Sequence, residues 1–435
     1  MASSPSPKPE PVSISPLLKR LAYPDSAKIQ VSAGEIASAF ALIFEDRLSV
    51  VQTAALLTLL HSTGKDREAD VIALCSHRMR EAATAADRAP LKKLMKARGR
   101  REGSYHGRLC DIVGTGGDSH STFNISTTSS IIASPLLLMA KHGNRAQTSF
   151  SGSADVLTSI VPTPPNITAV TADNLVKVFE ETNYAFLFAP NFHPGMMYAN
   201  PVRKGLGIRT IFNLMGPLAN PVDWAIEARV VGVAYQSLGP VFADALRLTG
   251  AKKAMVICGE EDLDEISCAG RTNCWRLTAH PNPDYKPRHH SYEQDDDHET
   301  SDEEHDNPRT LAKVETFSIH PSDFGLPTHP LSEVGGGKQP RENAQILMDL
   351  VSNKLPRDHP ILHFVIMNVA SLLVISGVCD ADTSNMGPGD DGQVIKEVGP
   401  GGGRWKEGVR RARWAIESGE ALRNLQKFIE VTNQL

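Results

Sequence analysis

The 435-residue sequence has no run of about 18 apolar residues, the length a bilayer-crossing helix needs, so it offers no membrane span. Positive charge is not in excess: 45 Lys and Arg against 50 Asp and Glu leave a formal charge of -5, which argues against a nucleic-acid surface. The six cysteines, Cys75, Cys110, Cys258, Cys268, Cys274 and Cys379, include no Cys-x-x-Cys pair and sit mostly in apolar runs. They read as reduced thiols of a cytosolic protein. Two familiar phosphate motifs are also missing. No Gly-x-x-x-x-Gly-Lys-Ser/Thr occurs, and Ser119 stands where a dinucleotide fingerprint starting at Gly114 would need glycine, which excludes a P-loop nucleotidase and a Rossmann dehydrogenase. The first 16 residues, rich in Ser and Pro, have neither the apolar core of a signal peptide nor the arginines of a transit peptide, and read as a disordered leader.

What is present is a chain with 41% hydrophobic residues, enough for a substantial core, and long enough for two to three domains at roughly 100–200 residues each. Its amino-terminal part reads as helical. Ser32-x-x-Glu35 and Ser49-x-x-Gln52 look like capping boxes ahead of apolar stripes, and Val71, Leu74, Cys75 and Met79 form a third stripe. From Leu109 onwards strand and helix patterns alternate, which predicts a parallel sheet covered by helices. The fold class expected is therefore α/β: a small N-terminal helical domain plus a larger α/β domain with a mostly parallel central sheet. Two segments interrupt the pattern, the acidic, histidine-bearing stretch at about 280–310 and the Gly/Asp/Pro-rich stretch at about 380–403; both are expected to be flexible surface insertions away from the site.

The chemistry-bearing motifs cluster early in the α/β part. An apolar lead-in, Asp111-Ile112-Val113, runs into Gly114-Thr115-Gly116-Gly117-Asp118, a turn whose N–H groups could cradle an anion while Asp118 holds a metal or hydroxyl. Asn124-Ile125-Ser126-Thr127 opens a helix predicted over 126–134, whose positive end favours an anion. The apolar run 136–140 predicts a short buried strand that delivers Lys141-His142-Gly143-Asn144-Arg145 at its carboxyl end, with Gly152-Ser153-Ala154-Asp155 close behind as a second phosphate-facing turn. After the strand ending at Ala189-Pro190, His193 begins a helical stretch in which Arg203, Lys204 and Arg209 stand among apolar residues. Arginine in an apolar cleft is what an aromatic carboxylate requires, and Gly216-Pro217 ends the stretch. Leu263-Asp264-Glu265 follows a strand at 254–258; adjacent carboxylates of this kind suit Mg²⁺, which takes one or two carboxylates and keeps waters.

These blocks, in this order, resemble the anthranilate phosphoribosyltransferases of the nucleoside phosphorylase-like phosphoribosyltransferase family, across about half of the chain. The resemblance implies transfer of the phosphoribosyl group of 5-phosphoribosyl 1-diphosphate (PRPP) to the amine of anthranilate. It implies that Gly114, Thr115, Gly116, Gly117, Asp118, Asn124, Ser126, Thr127, Lys141 and Ser153 hold PRPP and that Asp264 and Glu265 hold Mg²⁺. His142, Asn144, Arg203 and Gly216 would contact anthranilate, with Ala189, Pro190 and His193 lining its entry. No residue is assigned as general base. A cytoplasmic homodimer is implied, paired through a helical domain at 17–105 that helices from about 192–218 join, the α/β domain being 106–191 with 219–435. The sequence departs from the family at Asp262 and Ser119, where glycine or another small residue is usual, and at Thr148, where serine is. A pyrimidine nucleoside phosphorylase shares the architecture, but its lysine motif does not read Lys-His-Gly-Asn-Arg. A non-enzymatic nucleic-acid-binding relative should be basic.

Overall fold

Ser32 and Glu35 form the expected capping box, each side chain bonded to the other's backbone N–H, and the helix Ala33–Phe44 follows. At the next helix, Val50–Ser62, Ser49 accepts from the Gln52 N–H but Gln52 does not return the bond. Its Oε1 accepts from the Ile14 N–H at 2.9 Å instead, and Val12 N–H donates to the Arg47 carbonyl at 2.8 Å. The expected leader is corrected here: residues 9–14 are docked, and the helix Ser15–Ala22 begins inside it, because Ile14, Leu17 and Leu21 supply an apolar stripe to bury. In the helix Ala69–Glu81, Val71, Cys75 and Met79 are buried as expected, whereas Leu74 is 40% exposed.

The structure is a computed structural model that describes residues 9–23, 30–120, 122–146, 151–283, 310–335 and 339–435. Its sheet has seven strands: β1 (Leu109–Gly114), β2 (Leu138–Gly143), β3 (Tyr184–Phe188), β4 (Ile226–Gly232), β5 (Lys253–Gly259), β6 (Thr272–Pro281) and β7 (Thr310–Ile319). They lie in the order β3-β2-β1-β4-β5-β6-β7, parallel through β5 and antiparallel thereafter. Side chains alternate between faces along each strand. Ile112, Val230, Met255 and Ile257 join one core with the fully buried helix Pro360–Ser376; Val231, Val233, Val256 and Cys258 join another with the helix Leu238–Leu248.

The amino-terminal helices do not close on themselves. Ala199 and Val202 of the helix Met196–Leu206, with Ile211, Phe212 and Met215, share a core with Phe40, Leu56 and Val71, and the Phe212 ring lies 4.9 Å from that of Phe40. Ile72 and Ala73, on another side of the helix Ala69–Glu81, pack with Leu214 and Phe242. Bundle and α/β unit thus touch directly. No helix among the described residues is long and apolar enough to cross a membrane.

Both insertions change on inspection. β6 and β7 pair out to Pro281 opposite Thr310, so the first begins later than expected, and residues 284–309 lie outside the described residues. The segment 380–403 is pinned, not loose. Asp390 accepts from Ser384 Oγ (2.8 Å), the Met386 N–H (2.8 Å) and Arg410 Nη1 (3.0 Å), while Trp414 Nε1 donates to the Pro388 carbonyl (3.1 Å). Gly and Pro content signals missing helix and strand, and side-chain bonds from the helix Trp405–Glu417 supply the order.

Candidate functional site

The strand order reverses direction between β1 and β4, and in open α/β sheets such a point opens a crevice at the carboxyl ends of the strands. The loop after β5 crosses that crevice. A Cβ on Gly232, at the end of β4, would overlap the Asp264 carbonyl oxygen, and one on Gly114, at the end of β1, would overlap the Asp264 carboxylate. Glycine at both strand ends is therefore what lets the acidic loop lie down on the sheet edge. Asp262, on the approach, has φ 60°, a left-handed conformation that glycine adopts freely and that Asp tolerates. Its Oδ1 accepts from the Gln236 N–H at 3.1 Å, which supports a side chain where the family usually has none.

The turn after β1 is built differently from the expectation of N–H groups converging on an anion. Thr115 N–H donates to the Gly232 carbonyl (2.9 Å), and Gly116 N–H to Asp264 Oδ2 (2.7 Å). Thr115 Oγ1 accepts from the Ala234 N–H at 3.2 Å. These groups hold the turn against its neighbours, and Gly116 and Gly117, at φ 64° and 79°, carry the chain through it.

Three carboxylates meet there. Asp118 Oδ2 accepts from the Asp264 N–H at 3.3 Å, and the Asp118 and Asp264 carboxyls bond each other. Burial and then the Asp118 charge push Asp264 up to about 7. Burial, then Asp264 and Asp118, hold Glu265 well above the usual carboxylate range; burial also raises Asp118. Lys141 opposes the rise at Glu265, and Arg209 at Asp118. Hard oxygen donors crowded until they must share protons suit a divalent cation. Among the described residues no group of three or more His, Cys, Asp or Glu side chains is placed to hold a metal ion.

The second turn is bound to the first. The helix runs Ile125–Ala133, and the Ser126 backbone at its start lies close enough to Glu265 to favour its charged form. Asn124 makes no cap: its Nδ2 donates to the Ser151 carbonyl (3.0 Å) and its Oδ1 accepts from Asn343 Nδ2 (3.0 Å). Thr127 Oγ1 donates to Ser153 Oγ at 2.8 Å, joining the two turns. Asp155 accepts from the Ala146 N–H (2.8 Å), the Gly152 N–H (3.1 Å) and Arg145 Nη1 (3.0 Å), clamping both ends of the second turn. Asn343, Asp155 and Arg209 were not singled out as site residues from sequence. Asp155 alone carried a local signal, since an acid three residues after Gly152 is capping-box spacing.

β2 extends past its apolar run, so Lys141 and His142 lie inside the strand, paired with Phe186 and Leu187, and do not leave at its end. Lys141 is only 1% exposed; its Nζ donates to the His142 carbonyl at 3.0 Å, and Asp111 and Glu265 oppose the drop in basicity that burial causes. Asp111 is in turn held by Asn220 Nδ2 at 2.9 Å. Lys141 is thus a buried cation within β2 and not a loop residue beyond the strand's end. His142 is buried and held neutral, well below its usual pKa, by burial and then the nearby His193, and its Nε2 has no hydrogen-bond partner among the described residues; a Cβ on Gly216 would meet open space. His193 is 3% exposed, its ring 5.2 Å from that of His142 and its Nε2 2.9 Å from the Ala219 carbonyl, so it backs His142 and does not line an entry. Ala189 is half-buried; Pro190 and Asn144 are exposed. Arg203 lies with Cζ 5.1 Å from the Phe212 ring centre, and burial lowers its pKa.

The glycosyl transferase family matches twice, its a/b domain over residues 106–288 and 294–422 and its helical bundle domain over residues 16–83. The anthranilate phosphoribosyltransferase of Schizosaccharomyces pombe is 35% identical over 95% of this chain and 97% of its own length. The anthranilate phosphoribosyltransferase of Saccharomyces cerevisiae, solved in complex with PRPP and Mg, superposes with a TM-score of 0.74 at 28% identity, covering 97% of this chain and 99% of that one. The same enzyme in complex with 4-fluoroanthranilate gives 0.70 at 27% identity, with the same coverage.

Proposed function

We propose, from the premise that the chain belongs to the anthranilate phosphoribosyltransferase family, that it transfers the 5-phosphoribosyl group of PRPP to the anthranilate amine. The products are N-(5-phosphoribosyl)anthranilate and pyrophosphate, a step of tryptophan biosynthesis. The observation that carries the reading is the meeting of Asp118, Asp264 and Glu265 with the Gly116–Gly117 turn at the crevice of the sheet.

The bond from the sugar C1 to the leaving diphosphate breaks as the amine nitrogen approaches, with positive charge on the sugar and negative charge on the diphosphate. Catalysis of such a step is chiefly positioning and stabilisation of the leaving group. Mg²⁺ held by Asp264 and Glu265, when bound, would supply positive charge to the diphosphate. Gly114, Thr115, Gly116, Gly117 and Asp118 form the diphosphate turn; Asn124, Ser126, Thr127 and Ser153 bring the second turn beside it. Lys141 acts from below, balancing Asp111 and Glu265. On the aromatic side, Arg203 takes the anthranilate carboxylate, and Asn144, Gly216 and His142 flank the ring beneath Ala189 and Pro190. His142, backed by His193, is neutral and brings a ring without a charge. No residue is assigned as general base; the amine nitrogen sheds one proton once it has bonded to C1, and that proton goes to water or to the released diphosphate.

The protein works in the cytoplasm as a homodimer paired through the helical bundle. Exposed Tyr23, Val50 and Val51 on the bundle support the pairing. Loss of anthranilate fluorescence on mixing with PRPP and Mg²⁺ tests substrate, reaction and ion together; no loss at any Mg²⁺ concentration refutes the reading.

A further inference from the structure

Arg209 follows the helix Met196–Leu206, which ends in left-handed Gly207 at φ 64°. The residues after it are fixed in the helical bundle: Thr210 and Ile211 are buried, and Phe212 stacks with Phe40 and Phe44. The Arg209 side chain points the other way. Its Nη2 donates to the Gly116 carbonyl at 3.2 Å, and its guanidinium crosses Gly117 so closely that a Cβ there would overlap Nη1. Asp118 lies within range of its charge. One short stretch of chain thus sends Arg203 to the aromatic side of the cleft and Arg209 to the diphosphate turn.

Resting on the proposed reaction, we infer that Arg209 couples the two substrates: its guanidinium, on the Gly116 carbonyl in this structure, turns to a bound diphosphate and thereby fixes the stretch that carries Arg203. A guanidinium gains from an anionic phosphate a charge–charge attraction that a neutral carbonyl lacks, and it can bond the phosphate through two parallel N–H groups. That difference gives a diphosphate the differential affinity that any ligand needs to shift a conformational equilibrium. Ile211 and Phe212 are buried in the bundle core, so the stretch that carries Arg203 is anchored at one end and gains a second anchor when Arg209 holds the diphosphate. The diphosphate half of the cleft then completes the aromatic half before the amine is placed.

The test titrates anthranilate into the full-length protein with and without saturating inorganic pyrophosphate and Mg²⁺, following anthranilate fluorescence. Pyrophosphate should tighten anthranilate binding by about tenfold, within the usual range of coupling between sites. Arg209→Gln should reduce the tightening to about twofold or less, with anthranilate alone bound as before. Arg209→Lys keeps a charge but loses the fork; it should keep pyrophosphate binding and lose most of the coupling. Full coupling in Arg209→Gln or Arg209→Lys, or none in the wild-type protein, overturns the inference. Turnover of PRPP and anthranilate by the wild-type protein is measured alongside: turnover without coupling rejects only the role of Arg209, whereas absent turnover rejects the reaction itself.

Discussion

The two sides of the cleft solve opposite electrostatic problems. On the side proposed for the diphosphate, Asp118, Asp264 and Glu265 crowd together near a buried Lys141, and their carboxyls are pushed up towards neutrality. On the aromatic side the imidazoles are pushed down: His142 and His193 are buried and neutral, and Arg203 lies over the Phe212 ring. One side stores like charges that only a cation relieves; the other removes charge except for one guanidinium suited to a carboxylate. The supports differ too. Sheet strands and glycines without room for a Cβ fix the acidic side, whereas the Arg203 side hangs from helices packed in the bundle. A rigid, charge-frustrated half and a half carried on another unit suit a reaction that needs an exact leaving-group site and a second substrate brought to it.

The sharpest way to break this contrast is to neutralise the acidic side. Asp264→Asn with Glu265→Gln should lower kcat/KM by about a hundredfold to a thousandfold, the scale of losing a leaving-charge stabiliser, and abolish the response to a Mg²⁺ titration. Its thermal midpoint should not fall, because repelling carboxylates are removed. The unmodified protein gives the pH counterpart. These carboxyls bind protons more tightly folded than unfolded, so stability without Mg²⁺ should decline as pH rises from the ordinary carboxylate range through about 7, and Mg²⁺ should restore it. A midpoint that rises over that range without Mg²⁺ contradicts the assignment of the strain.

Removing the counter-charge comes next. Lys141→Met leaves the buried His142 carbonyl without its Nζ partner and removes the positive charge near Asp111 and Glu265, and should cost about 1–3 kcal/mol of stability, read by urea unfolding. PRPP affinity should weaken more than anthranilate affinity. A variant as stable as the wild-type protein would mean that Lys141 is not the counter-ion of the site.

On the other side, Arg203→Ala should raise KM for anthranilate by about thirtyfold, near 2 kcal/mol for a partly buried charge pair, and that for PRPP much less. Equal effects on both substrates would erase the division of the cleft. The smallest effect is expected outside it. Replacing 284–309 with a short Gly/Ser linker keeps the Pro281–Thr310 pairing and should leave turnover within about threefold, the tolerance expected of a connecting segment. Loss of turnover in a folded variant would make the insertion part of the machinery.

Much of the site was readable because its residues are local to motifs. The Gly114–Asp118 turn begins at the end of β1, Asn124–Thr127 opens the helix Ile125–Ala133, and Leu263-Asp264-Glu265 follows β5, so hydrophobic period and glycine mark their places. The misreadings share a cause. Lys141 reads in the sequence as leaving the sheet at the strand's end because the apolar run stops at Ala140, while the pairing with Phe186 that keeps it in β2 is made by a distant segment. His193 looked like a lining residue because its bond to the Ala219 carbonyl is made by another turn of the chain. The Gly/Asp/Pro segment looked flexible because the bonds that order it come from Arg410 and Trp414.

The sequence by itself determined the class of the fold and the membership of the acidic, glycine and basic motifs, since helix caps, strand period and turn residues act over a few positions. Tertiary structure alone decided how those motifs use their groups. Whether a backbone N–H meets a ligand or the Asp264 carboxylate, and whether an arginine in the bundle segment faces water or reaches across to Gly116, depends on which strands end side by side. That neighbourhood is set by the β3-β2-β1-β4-β5 order, a long-range fact that no local pattern encodes.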